Sequence, residues 1–180
     1  MAEMMQMDAG RSVWRSLPAA GRSAVVFLGM AGSLRLRHER LGMYYAAQGG
    51  KYVVFRETER AAARGEPVVL VVGFRLKLIR SSRLLHWLFQ RVCILTTPFW
   101  SGLPGFRTKL WLVDPATKNY LGIYDWRGEP QAQGYLDFLL PVLRFFSTGG
   151  SVWAQQFPAT ALDGYLQAVH SVVTPSNASG

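Results

Sequence analysis

The order of strand and helix signals between Pro67 and Val169 constrains this chain more than any other feature. Val68–Lys77 (VVLVVGFRLK) is rich in β-branched residues and predicts a buried strand. Ser81 or Ser82 suits the N-cap of a following helix, in which Leu84, Leu85, Leu88, Val92 and Leu95 recur at helical spacing. Thr96–Gly105 is a turn-rich loop. Phe106–Val113 and Tyr120–Trp126 predict two strands joined by the turn-forming run Asp114–Asn119. A second helix opens at Gly128-Glu129-Pro130, where proline suits the first turn, and stops at Gly149-Gly150. Pro141 inside it predicts a kink. Ser151–Phe157 predicts a last strand, and Ala161–Val169 a short amphipathic helix.

The order is β-α-β-β-α-β with a final helix, which is the split-βαβ, ferredoxin-like plan of the α+β class. It implies one antiparallel sheet with helices on one face, plus a short C-terminal helix and an N-terminal helical extension. The opposite face then needs a cover. A strand at Lys51–Glu57, the N-terminal helix or a second copy of the chain would supply it, and a homodimer is the commonest solution. We divide the chain into a basic extension with a helix and one strand (1–66), a ferredoxin-like domain (67–170) and a polar tail (171–180).

Charge is unevenly placed. Residues 1–95 hold fifteen Lys and Arg against six Asp and Glu, whereas residues 96–180 hold five of each. The whole excess of +9 therefore sits in the first half. Such asymmetry marks either a solvated basic face or contact with an anionic partner. No nucleic-acid-binding motif accompanies it, which disfavours nucleic acid. Ala24–Leu34 (AVVFLGMAGSL) is mostly apolar between Arg11, Arg15 and Arg22 on one side and Arg35, Arg37 and Arg40 on the other. It is too short to span a bilayer and lacks the cleavage site of a signal peptide. It predicts a helix that packs on the domain or a partner, or that lies on an anionic membrane surface through residues 11–40. The expectation is a cytoplasmic protein, with peripheral membrane contact in the second case.

Strand alternation sorts the side chains of the domain. Phe106, Thr108, Leu110 and Leu112 share one face of their strand, and Arg107, Lys109, Trp111 and Val113 the other. Tyr120, Gly122, Tyr124 and Trp126 oppose Leu121, Ile123 and Asp125. In the last strand Trp153 and Gln155 oppose Val152 and Ala154. Arg107, Lys109, Trp111, Tyr120, Tyr124, Trp126, Trp153 and Gln155, with the loop residues Phe99 and Trp100, are thus candidates for one aromatic-walled pocket. Gly122 leaves room in it. Aromatic walls with a few donors suit a flat, partly anionic, hydrophobic small molecule. The competing reading is that the aromatics fill the space between layers while Arg107 and Lys109 reach water.

Much familiar chemistry is absent. There is no phosphate-binding glycine loop and no dinucleotide fingerprint. His38-Glu39 begins like HExxH, but position 42 is Gly, and the three histidines do not pair at metal-ligand spacing, so no metal site is expected. The single cysteine, Cys93, excludes an internal disulfide and lies in an apolar run. Glu57 and Glu59 are flanked by Arg56 and Arg60 and read as a surface charge mixture. His86, beside Trp87, is the histidine placed to serve as a general base or a haem ligand.

The run Gly105–Trp126 (GFRTKLWLVDPATKNYLGIYDW), followed by Gln131–Tyr135 and Gly150–Gln155, resembles the small monooxygenases of the dimeric α/β-barrel superfamily. In that group a GFxxKxW strand, a GxYxW strand and a helix with alanine and tyrosine follow one another. The matching positions are Phe106, Lys109, Trp111, Gly122, Tyr124, Trp126, Ala132 and Tyr135. The resemblance covers about residues 67–158 and leaves the basic extension unexplained. It implies a ferredoxin-like dimer and either a cofactor-independent oxygenase of aromatic compounds, with no cofactor, or a haem- or hydrophobic-ligand-binding protein. In the oxygenase, Arg107 or Lys109 would stabilise an oxyanion, and His86 or Tyr124 would accept a proton.

Overall fold

Every residue from Val68 to Val72 is at most 1% exposed, so this strand must be covered on both faces. The computed structural model, which describes residues 34–60, 65–77 and 103–171 together with Trp87, Phe89 and Arg91, shows how. The strands are β1 (Leu34–Arg37), β2 (Tyr44–Ala47), β3 (Gly50–Arg60), β4 (Pro67–Phe74), β5 (Phe106–Val113), β6 (Tyr120–Arg127) and β7 (Trp153–Pro158). The helices are α1 (Glu129–Phe146), between β6 and β7, and α2 (Leu162–Ser171), after β7. Trp87, Phe89 and Arg91 are also helical and fall inside the helix expected at 84–95. The apolar run Ala24–Leu34 lies outside the described residues except for Leu34, which opens β1.

The sheet runs β1-β3-β5-β6-β4-β7, with every pair antiparallel. β2 also pairs with β3. Within it β5-β6-β4-β7 is the four-strand order of the ferredoxin-like fold, in which the first strand of the β-α-β-β-α-β series lies between the third and fourth. Residues 34–60 lengthen this sheet beyond β5 with three strands, where the sequence suggested one. The β2–β3 hairpin closes through Gln48 and Gly49, both at positive φ (46° and 75°), the two-residue turn whose twist matches paired strands.

Alternation along β4 divides the core. Val68, Leu70 and Val72 pack with Phe106, Tyr124 and Trp126 under α1, which contributes Ala132, Tyr135, Leu136, Leu139 and Leu143. Val69 and Val71 pack on the opposite face with Leu110, Leu112, Leu121 and Ile123. That face, left open in the sequence-based plan, carries Leu162 and Leu166 of α2 and Tyr45 of β2. Arg40, in the β1–β2 connection, pairs with Glu57 on β3 and with Asp163 at the start of α2, the latter at 2.7 Å. It binds the edge of the sheet to the helix above it.

Two substitutions test this packing. A Cβ at Gly122 would stand 2.7 Å from Cε2 of Tyr124, whose ring is 3% exposed and therefore has little room to retreat. Gly122→Val is expected to cost about 1–3 kcal/mol despite valine's preference for strands, read as a lower urea midpoint. Glu57 is 1% exposed. Arg40→Met, which leaves its carboxylate unpaired, is expected to cost about 3–5 kcal/mol, and adding Glu57→Gln should recover part of the loss in the same denaturation assay.

Candidate functional site

The register of β5 on β6 shifts between Phe106 and Thr108, a β-bulge that breaks simple alternation. Phe106 lies opposite Trp126, while Lys109 and Trp111 lie opposite Tyr124 and Gly122. The bulge turns Phe106 onto the face of Lys109 and Trp111, where its ring meets Trp126 edge-on at 5.6 Å between centroids. The sequence reading had placed Phe106 on the aliphatic side.

Lys109 is the unusual member of this face. It is 4% exposed, and its Nζ lies 3.0 Å from the centroid of Trp111 and 4.7 Å from that of Tyr124. The negative faces of the two rings offset part of the cost of burying an ammonium group. The Tyr135 hydroxyl donates to the Tyr124 hydroxyl at 3.1 Å, and the Tyr135 ring also packs on Trp126 at 5.1 Å. The indole N–H groups of Trp111 and Trp126 are buried and make no hydrogen bond with the described residues. At the end of this face Tyr120 stacks on Phe74 at 5.7 Å and meets Phe89 at 4.7 Å. A cation, a tyrosine pair and two indole donors thus gather under α1 within an otherwise apolar layer.

The structure divides the residues expected to form one pocket. Lys109, Trp111, Tyr120, Tyr124 and Trp126 do share a face. Trp153 does not: it packs with the core under α2, and its indole lies where a Cβ of Gly73 would stand. Gln155 shares the alternation of Trp153 and is exposed. The bulge leaves Arg107 beside Asp125, at 3.8 Å, rather than beside Lys109. The reason is geometric: faces were matched strand by strand, without the register that relates β7 to β4 or the extra residue in β5. His86, Phe99 and Trp100 lie outside the described residues.

The sequence reading missed a charged group on the α2 side. Glu57 is among the most buried side chains of the chain, against the expectation of a surface mixture. Asp125 is 4% exposed, with Arg127 Nη1 at 3.4 Å and Arg107 Nε at 3.8 Å, and its Oδ1 makes no hydrogen bond. Burial pushes its carboxyl up to about 6 against the pull of Arg107, and the charges of Asp163 and Glu59 add to the rise. A signal was available, since an acid in the row Leu121, Ile123, Asp125 has to be buried wherever the aliphatic side chains are.

The raised carboxyl has a measurable sign. Between its ordinary value of 3.8 and about 6, the folded chain holds a proton at Asp125 that the unfolded chain has released. Stability is therefore expected to fall as pH rises through that window and then to level off. Asp125→Asn should flatten this part of the stability–pH curve and make the protein more stable than wild type above the window, as measured by chemical denaturation across pH.

Among the described residues no group of His, Cys, Asp and Glu has the arrangement to hold a metal ion, and no helix is long and apolar enough to cross a membrane. No protein-family model and no curated protein matches the chain. Among solved structures it is similar to a haem-degrading enzyme from Listeria monocytogenes, with 12% identity over 76% of this chain and 93% of that one, at a TM-score of 0.48. SnoaB, a cofactor-independent oxygenase from Streptomyces nogalater, matches at 21% identity over 54% of this chain and 96% of its own, at a TM-score of 0.39. An uncharacterised ferredoxin-fold protein from Listeria monocytogenes, related to antibiotic biosynthesis monooxygenases, matches at 12% identity over 72% and 94%, at a TM-score of 0.44. The ferredoxin-like architecture of the chain is established by its own strand order.

Proposed function

We propose that this chain binds a hydrophobic, phenolic aromatic molecule on the α1 side of its sheet and oxidises it with O2 without a cofactor. The observation that carries the reading is the buried Lys109 ammonium held against Trp111 and Tyr124, beside the Tyr124–Tyr135 hydroxyl pair. A cation in a layer that excludes water favours the phenolate or enolate over its neutral form. Ionisation makes the ring electron-rich enough to react with O2 directly. For a ring CH2 the balance closes without an added reductant. The carbon loses two hydrogens and takes one oxygen atom as a carbonyl, and the second oxygen leaves as water. The substrate supplies all four electrons. Lys109 holds the oxyanion, and the tyrosine pair moves the phenolic proton, with Tyr124 accepting from Tyr135 in the resting protein.

Haem fits the described residues of this face poorly. None of the described residues around Lys109 is a histidine or cysteine, and His170 sits on α2, hydrogen-bonded to the Tyr44 carbonyl at 2.8 Å.

The test uses the full chain with dihydroxyanthrone as probe, following O2 uptake and the absorbance of the quinone product. Wild type is expected to turn it over, and Lys109→Met to lose about 100-fold or more in kcat while melting no lower, because methionine fills a similar volume without a charge. Saturable binding with no O2 uptake would leave a binding protein and remove the catalytic claim. Turnover unaffected by Lys109→Met would remove Lys109 from the mechanism.

A further inference from the structure

We infer that a second site lies at the end of the sheet where β4 leaves and β7 enters, and that it takes a single-ring aromatic carboxylate bearing a hydrogen-bond donor across the ring. A half-open cleft of about 230 Å³ is lined there by Tyr52, Phe74, Arg75, Asn119, Ser151 and Trp153. Of the residues grouped on the Lys109 face only Phe74, at its far end, borders the cleft. Its volume equals that of about eight water molecules at ~30 Å³ each, enough for one ring with two polar substituents and too little for a fused polycycle.

The walls and the polar groups define the ligand. Trp153 gives the cleft an aromatic side, and the absence of a side chain at Gly73 lets its indole lie down on β4. The backbone of Arg75 is fixed: its N–H donates to Ser151 Oγ at 3.3 Å, and its carbonyl accepts from Thr148 N–H at 2.7 Å. Arg75 is exposed, and its guanidinium forms no hydrogen bond or ion pair with the described residues, so its charge at the cleft is answered by solvent alone. That charge calls for an anion, and its planar fork suits a carboxylate.

Asn119 sets the other end. Its Oδ1 is buried and has no hydrogen-bond partner among the described residues. A buried acceptor left unmade costs free energy that a ligand O–H or N–H recovers. The nearby Asp114 carboxylate cannot fill this need, because it is itself an acceptor, taken up by Ala116 N–H at 2.8 Å, Thr117 N–H at 3.2 Å and Thr117 Oγ1 at 2.7 Å within its own turn. Burial, and then the charge of Asp114, push the Tyr52 hydroxyl above its usual range, so it stays protonated and does not repel an anion. The ligand therefore places its carboxylate on Arg75, its ring against Trp153, and its hydroxyl or amino donor on Asn119 Oδ1.

The probe is para-hydroxybenzoate, titrated into the full chain and followed by tryptophan fluorescence and ligand-observed NMR. Saturable binding is expected. Benzoate, which lacks the donor, and para-hydroxybenzamide, which lacks the charge, should each bind about tenfold more weakly, the loss of one hydrogen bond with a charged or buried partner. Arg75→Gln should abolish the preference for acid over amide, and Asn119→Ala the preference for the hydroxylated acid, each without lowering Tm. Dihydroxyanthrone should not displace the bound acid, which keeps this site separate from the one around Lys109. Equal affinity for the three probes on wild type, or no saturable response, overturns the proposal even if a variant fails to fold.

Discussion

Burial of β4 on both faces is the constraint from which the rest follows. Five consecutive aliphatic residues with almost no exposure demand a layer above and a layer below. A strand so placed belongs inside its sheet with a neighbour on each side, and β4 lies between β6 and the edge strand β7. One layer comes from α1, inserted between β6 and β7, and the other from α2 and the β2–β3 hairpin. Removing either layer would expose half of the strand, at roughly 25 cal/mol for each Å² of apolar surface returned to water.

The two layers differ in chemistry because β5 and β6 present different side chains to each. Under α1 the chain buries a cation among aromatic rings. Under α2 it buries carboxylates, Glu57 and Asp125, and answers them with Arg40, Arg107 and Arg127. Buried ionic groups of either kind stabilise poorly compared with apolar residues of the same volume. Their presence on both sides of one sheet marks where this fold gives up stability for chemistry or for specificity.

The sequence made the element order legible because each strand and helix there has a strong period of its own and a clear stop. Phe106–Val113 is matched to the residue, and the Tyr120–Trp126 strand extends by one. The membership of the site was only partly legible. Lys109, Trp111 and Tyr124 share a face because they lie on neighbouring strands where alternation holds. Phe106, Arg107 and Trp153 went astray because a bulge adds a residue and because alternation alone cannot tell which face of one strand matches which face of another. Glu57 went astray for a further reason: it follows Arg56 in the chain, whereas the arginine that pairs with it, Arg40, comes from seventeen residues away.

The Arg40–Asp163 contact joins positions 123 residues apart, and the His170–Tyr44 contact joins positions 126 apart. Both are made by α2, near the end of the chain. During synthesis, the first strands therefore wait for almost the entire polypeptide before their outer layer can form. Until then the apolar side of the β2–β3 hairpin and the Glu57 carboxylate face solvent or a chaperone rather than their final partners. Contacts of such span slow folding and lengthen the exposure of unfinished sheet. The ten residues of α2 thus act as the closing step for strands made long before them.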